Sequence, residues 1–185
     1  TPSCTSVKAS VSLTNSVLDS NQSPSQGGGL LLNRSNLAVA GSLIIRNSVT
    51  GGALPFGGGM LLTTASAATI TGTTIARNTA GQYGGGIFMD DSASLQMNGS
   101  QLYDNPASVQ GGGLFVGPNG SASGSIQDSI IADNTNYQVA EHSCPKTTLL
   151  YQNNTITPKV GLSDVYFGGC APVQTFANIG QLNGA

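Results

Sequence analysis

The stretch GTTIARNTAGQYGGGIFM, residues 72–89, holds both halves of a pattern that recurs along the chain. The first half closes at Asn78. A large aliphatic, Ile75, stands three positions before it, a hydroxyl, Thr73, five before, and a turn-tolerant Gly72 six before; eight before is the apolar Ile70. The second half is a glycine triplet, Gly84–Gly86, with apolar residues directly after it (Ile87) and two positions later (Met89).

Working outward, the first half repeats at Asn21, Asn47, Asn105 and Asn134, so that the five asparagines are 26, 31, 27 and 29 residues apart. The matching aliphatics are Leu18, Ile44, Leu102 and Ile131, the hydroxyls Ser16, Ser42, Ser100 and Ser129, and the earlier apolar residues Leu13, Val39, Met97 and Ile126. The second half repeats at Gly27–Gly29, Gly57–Gly59 and Gly111–Gly113. A period in this range denotes one supersecondary unit stacked on copies of itself.

Within each copy the apolar positions alternate, which predicts short strands with one face buried. The sequence therefore predicts an all-β fold, a single right-handed parallel β-helix (a β-solenoid) of about five to six coils. Its core columns are Leu18/Ile44/Ile75/Leu102/Ile131 and Leu13/Val39/Ile70/Met97/Ile126. Strands are expected around the residues eight and three before each asparagine, with the third strand starting at the triplet. The residue six before (Asn15, Gly41, Gly72, Gly99, Asp128) suits a bend with positive φ. Asn21, Asn47, Asn78, Asn105 and Asn134 fit a structural ladder in which each amide donates to the next; an ordinary turn role is the other reading. Residues 1–10 are expected as a lead-in strand, 11–134 as the repeats, with an insertion at Thr50–Phe56, and 135–185 as an irregular C-terminal cap.

Only 8% of the 185 residues are charged and the formal net charge is −2, which gives no electrostatic reason for binding nucleic acid. The sequence has no apolar run of the roughly 18 residues that a transmembrane segment needs. Cys144 and Cys170 flank much of the C-terminal segment, and a disulfide between them would staple it; buried free thiols are the alternative. With a single histidine, His142, the cysteines lack partners for zinc. Few lysines, few charges and the disulfide candidate point to an exported protein, extracellular or at the cell surface. Five Asn-x-Ser/Thr sites are present, at Asn21, Asn33, Asn98, Asn119 and Asn153.

The alternation of Gly-Gly-small-aliphatic with aliphatic-x-x-Asn resembles the repeats of chlamydial polymorphic outer membrane proteins. The literal Gly-Gly-Ala-Leu occurs at Gly51–Leu54; elsewhere Gly replaces Ala, and Leu or Ile replaces the Phe of Phe-x-x-Asn, as in Leu18–Asn21 and Ile75–Asn78. The resemblance covers roughly residues 11–134. It implies a right-handed β-helix displayed outside the cell, like an autotransporter passenger, and used in adhesion.

For enzymatic action on polysaccharides, a β-helix needs carboxylates clustered with a basic group. The best cluster is the column one residue before the ladder: Ser20, Arg46, Arg77, Asp104, Asp133. It reads more readily as a solvated charge stripe. Asp90–Asp91 reads as a turn and less readily as a calcium site, and His142 as a surface residue of the cap. No catalytic residue, metal or cofactor is expected. The function expected is a non-enzymatic structural or adhesive role, with a host-surface or glycan ligand or a head-to-tail homopolymer as partner; the alternative is a polysaccharide-binding or polysaccharide-degrading β-helix. Cys4, Thr5, Val7, Ala9 and Val11 are the self-association candidate, through pairing of the lead-in edge with the next copy; a monomeric adhesin is the other reading. Replacing Ile75 with Asp should unfold the middle coils, because a buried unpaired carboxylate costs several kcal/mol; loss of the cooperative transition in circular dichroism is the readout.

Overall fold

The computed structural model describes residues 8–119, 121–142, 148–157 and 165–168. The alternating columns form three parallel sheets of six strands each. The first contains Ala9–Thr14, Ser35–Ala40, Ala67–Thr71, Ser94–Asn98, Ser123–Gln127 and Thr148–Gln152. The second contains Val17–Asp19, Leu43–Ile45, Thr74–Ala76, Gln101–Tyr103, Ile130–Ala132 and Thr155–Thr157. The third contains Leu30–Asn33, Met60–Thr63, Ile87–Met89, Leu114–Val116, Val139–Glu141 and Val165–Phe167. A short fourth sheet, unforeseen from the sequence, joins Gln22–Ser23, Ser48–Val49 and Thr79–Ala80 directly after the ladder asparagines. Among the described residues no helix forms, and none is long and apolar enough to cross a membrane.

Register follows the repeat. Ile75 pairs with Ile44 and Leu102, and Ile70 with Val39 and Met97, so both predicted columns stack residue on residue. Ile44, Ile75, Leu102 and Ile131 are fully buried, as are Ile70 and Ile126. Each such side chain contributes about 1.5–3 kcal/mol on leaving water. Leu13 and Leu18, in the first coil, are only partly buried against this core.

The asparagines form a continuous amide ladder. Asn21 Nδ2 donates to Asn47 Oδ1 (2.9 Å), Asn47 to Asn78 (2.9 Å), Asn78 to Asn105 (3.0 Å) and Asn105 to Asn134 (2.9 Å). Each of these acceptor oxygens also receives the backbone N–H of the preceding asparagine. The second amide hydrogen turns back to the core strand one coil earlier, as from Asn78 to Ile44 O (2.8 Å) and from Asn105 to Ile75 O (3.0 Å). Buried amides are thereby satisfied on every side. The hydroxyl column runs parallel: Ser42, Thr73, Ser100 and Ser129 each accept the N–H of the hydroxyl residue one coil before.

Two further columns serve the ladder. The residue before each asparagine, read from sequence as a charge stripe, is the left-handed pivot of the turn: Ser20, Arg46, Arg77, Asp104 and Asp133 have φ of 56°, 55°, 57°, 52° and 54°. That conformation costs a residue with a Cβ roughly 1–2 kcal/mol, which the ladder offsets. The third glycine of each triplet leaves room for the asparagine of the following coil. A Cβ on Gly59 would stand 3.1 Å from Asn78 Cγ, and one on Gly113 2.9 Å from Asn134 Nδ2.

The repeat extends beyond the predicted boundary at 134. Strands in 135–185, expected as an irregular cap, finish the fifth coil and supply the sixth rung, with Leu149, Tyr151 and Ile156 buried in the core. The turn signals fade there while the inward residues persist: Ile156 is followed three positions later by Lys159, and no triplet precedes Val139. Gln138 stands where the third glycine belongs. Its Oε1 accepts both Asn134 N–H groups, from Nδ2 (2.8 Å) and the backbone (3.0 Å), and its Nε2 donates to Asn134 O (2.9 Å), closing the ladder. At the other end, Ala9 and Ser10 belong to the first strand of coil one, so the expected lead-in strand is not separate from the repeat; residues 1–7 lie outside the described residues.

Asn78→Ala should lower stability by about 3 kcal/mol or more, because it strands two Asn47 donors and the Ile44 carbonyl in the interior. Asn21→Ala, at the part-buried end, should cost about 1 kcal/mol. Urea denaturation of both variants provides the comparison.

Candidate functional site

Alternation along the third sheet turns the first and third residues of each strand inward and the middle one outward. The outward column reads Leu31, Leu61, Phe88, Phe115, Ala140 and Tyr166. Alongside it runs the column just before the glycine triplet, where Gln26, Phe56, Tyr83 and Gln110 are joined by single parallel bridges. The two columns make an aromatic tract on the side of the solenoid, separate from the core. Phe56 stacks on Phe88 (centroids 4.7 Å, planes 9° apart), Phe88 on Phe115 (5.3 Å), and Tyr83 tilts against Phe115 (4.5 Å). The tract continues through His142, 5.0 Å from Phe115 and 4.8 Å from Tyr166, to Tyr137, 5.3 Å from Tyr166.

Over this tract lies a groove of about 470 Å³. Leu61, Phe88 and Phe115 form its buried floor, while Phe56 and Tyr83 are half-buried walls. Leu54 is 50% exposed and reaches the groove from the Thr50–Phe56 insertion, which gives that insertion a place in the site. The opposite rim comes from the ends of the third strands and the turns after them: Thr63, Asp90, Asp91, Pro118 and Asn119. Asn119 holds the Asp90 carboxylate with its backbone N–H on Oδ1 and its Nδ2 on Oδ2, both 2.9 Å. Thr63 Oγ1 donates to Asp91 Oδ2 (3.0 Å). At the C-terminal end, burial lowers the pKa of His142, favouring the neutral ring, and Nε2 lies 2.6 Å from Gln110 Oε1. With that oxygen as the acceptor, the contact is satisfied by the tautomer that carries its proton on Nε2.

The sequence candidates fall elsewhere or take different roles. Asp104 makes an exposed ion pair with Arg77 (3.4 Å), and Arg46 pairs with Asp19, whose carboxyl is held below its usual range by the Arg46 hydrogen bonds. Arg46, Arg77 and Asp104 lie in turns and Asp19 at the end of its strand, all outside the groove. Asp90 and Asp91 do occupy a turn, but that turn is the groove rim. His142, expected as a surface residue of the cap, is half-buried between aromatic rings. Ala9 and Val11 lie exposed on the terminal strand of the first sheet. Cys4, Thr5, Val7, Cys144 and Cys170 lie outside the described residues, so neither the disulfide candidate nor most of the self-association candidate is placed. Among the described residues no three His, Cys, Asp or Glu side chains gather as metal ligands. The inward alternation does not reveal the outward aromatic columns; their signal in the sequence is the fixed offset of Phe56, Tyr83, Phe88 and Phe115 from the triplets.

The chain belongs to the right-handed β-helix family, whose description, a right-handed β-helix region, matches residues 3–175. No curated protein and no solved structure matches it.

One polar pair interrupts the core near its C-terminal end. Glu141 occupies the inward column of Leu62, Met89 and Val116, and accepts a hydrogen bond from buried Tyr151 (2.5 Å) in the column of Ile70, Met97 and Ile126. Burial pushes the Glu141 pKa up to about 7, despite the opposing hydrogen bond. The folded state therefore holds this proton more tightly than the unfolded chain does. Its stabilising contribution is complete below the unfolded carboxylate pKa and is lost as pH rises through about 7. Thermal melts between pH 4.5 and 8 should show a decline on the order of 3 kcal/mol from this group, and Glu141→Gln should remove it.

Proposed function

We propose that this chain is a non-catalytic glycan-binding β-helix that works outside the cell, with the aromatic groove on its third sheet as the binding surface. The groove carries the proposal. Half-buried rings on a rigid floor, flanked by polar groups already fixed by hydrogen bonds, are the features of a preformed ligand site. Pyranose rings offer such a surface both an apolar C–H face and an edge of hydroxyls. The walls and rim extend over several rungs spaced about 4.8 Å apart, which suits a short oligosaccharide laid along the solenoid axis. Adhesion and surface display fit the resemblance to polymorphic outer membrane proteins and the low charge of the chain. A head-to-tail fibre through the first-coil strand that carries Ala9 and Val11 is an extension of the same display role.

A second reading, polysaccharide cleavage, is favoured by one observation: two carboxylates and a histidine line the same groove. Asp90 is held by Asn119 and His142 by Gln110, an arrangement better suited to orientation than to proton transfer.

A glycan array containing neutral and acidic oligosaccharides should retain the protein. Tyr83→Ala and Phe56→Ala should each weaken retention about tenfold, consistent with about 1 kcal/mol for a lost ring contact plus its buried area, with unchanged circular dichroism. An array without hits would sink the proposal. Product release from a bound polysaccharide that vanishes in Asp90→Asn would make the protein an enzyme.

A further inference from the structure

The groove is electrostatically one-sided. Among the described residues that line it, the charged side chains are Asp90 and Asp91, and neither Lys nor Arg contributes. Asp90 uses one acceptor direction on each oxygen for Asn119, and Asp91 uses one on Oδ2 for Thr63. A carboxylate has about four such directions, so both retain capacity for additional donors. Their partners are neutral, and the charge on the rim remains uncompensated by any cation lining the groove.

We infer that the groove takes an uncharged hexopyranose chain, with C–H faces against Phe56 and Tyr83 and hydroxyls donating to Asp90 and Asp91, and that it rejects uronate and sulfated glycans. This assignment rests on the glycan-binding reading above. Vicinal hydroxyls are donors that a carboxylate can use without a compensating charge. An anionic sugar in the same place would bring like charges together in a partly apolar cleft, where screening is weak. A peptide fits less well. Peptides commonly gain affinity by extending a sheet edge through main-chain hydrogen bonds, whereas strands inside this sheet pair with the rungs on both sides and present only side chains to the groove.

The closing experiment is calorimetric titration of the whole chain with gluco-, manno- and galacto-oligosaccharides, with oligogalacturonate, and with an oligolysine peptide. At least one neutral oligosaccharide should bind. Its affinity should be nearly independent of added salt and should fall at least tenfold in Asp90→Asn. Oligogalacturonate should fail to bind the wild-type chain, and the double substitution Asp90→Asn with Asp91→Asn should bring its affinity closer to that of the neutral series. If the double variant does not fold, the wild-type comparison and its salt dependence decide the matter. Oligogalacturonate binding as tightly as the neutral series, with sensitivity to Tyr83→Ala, would overturn the inferred sugar class while leaving the groove a glycan site. Binding of none of the saccharides, or of oligolysine alone, would overturn both readings.

Discussion

The amide ladder is the constraint on which the other columns depend. Each buried asparagine must find acceptors for two amide hydrogens and donors for one oxygen, and it finds them in the coils on either side. Meeting that demand fixes the left-handed residue before it, which tightens the turn, and the small third glycine of the preceding coil, which leaves the amide room. The glycine and asparagine motifs thus belong to one packing problem solved across neighbouring coils. Strand register, and with it the stacking of the aliphatic core, follows from the same alignment.

The lateral groove is a by-product of this regularity. Once equivalent residues stack rung by rung, an aromatic side chain at an outward position in successive coils becomes a tract of touching rings, with no loop required to assemble it. The ends of the third strands and the turns after them stack similarly, bringing Thr63, Asp90, Asp91 and Asn119 to one rim from three successive coils. The Thr50–Phe56 insertion adds Leu54 at the point where the solenoid departs from its period. A rigid scaffold with local variation between its turns is a common way for repeat proteins to carry binding surfaces.

The sequence exposed the inside of the molecule better than its outside. Ile75 and Asn78 could be read because their surroundings leave few alternatives: the aliphatic must face the core and the amide must be satisfied. Phe88 and Phe115 were opaque for the opposite reason. In Ile87–Met89 and Leu114–Val116 the middle residue is apolar as well, so the alternation that places Ile87 and Met89 inward does not mark Phe88 as an outward residue, and the ring passes for part of the core. The last rung falls beyond the predicted repeat boundary because the glycine triplets and ladder asparagines stop, while the strands continue and Asn153, with φ of 53°, still turns the chain between them. Glu141 and Tyr151 add to the difficulty by placing polar atoms in columns that are otherwise apolar.

Gln138 also bears on how such a chain can lengthen. Between Asn21 and Asn134 each ladder junction has the same donor and acceptor, so an additional unit inserted there meets the same chemistry on both sides. Beyond Asn134 this interchangeability ends: Gln138 occupies the next amide slot and returns a hydrogen bond to the asparagine it follows. Duplication of repeats is therefore open between Asn21 and Asn134 and closed directly after Asn134, where the side chain that completes the ladder also takes the place of another asparagine.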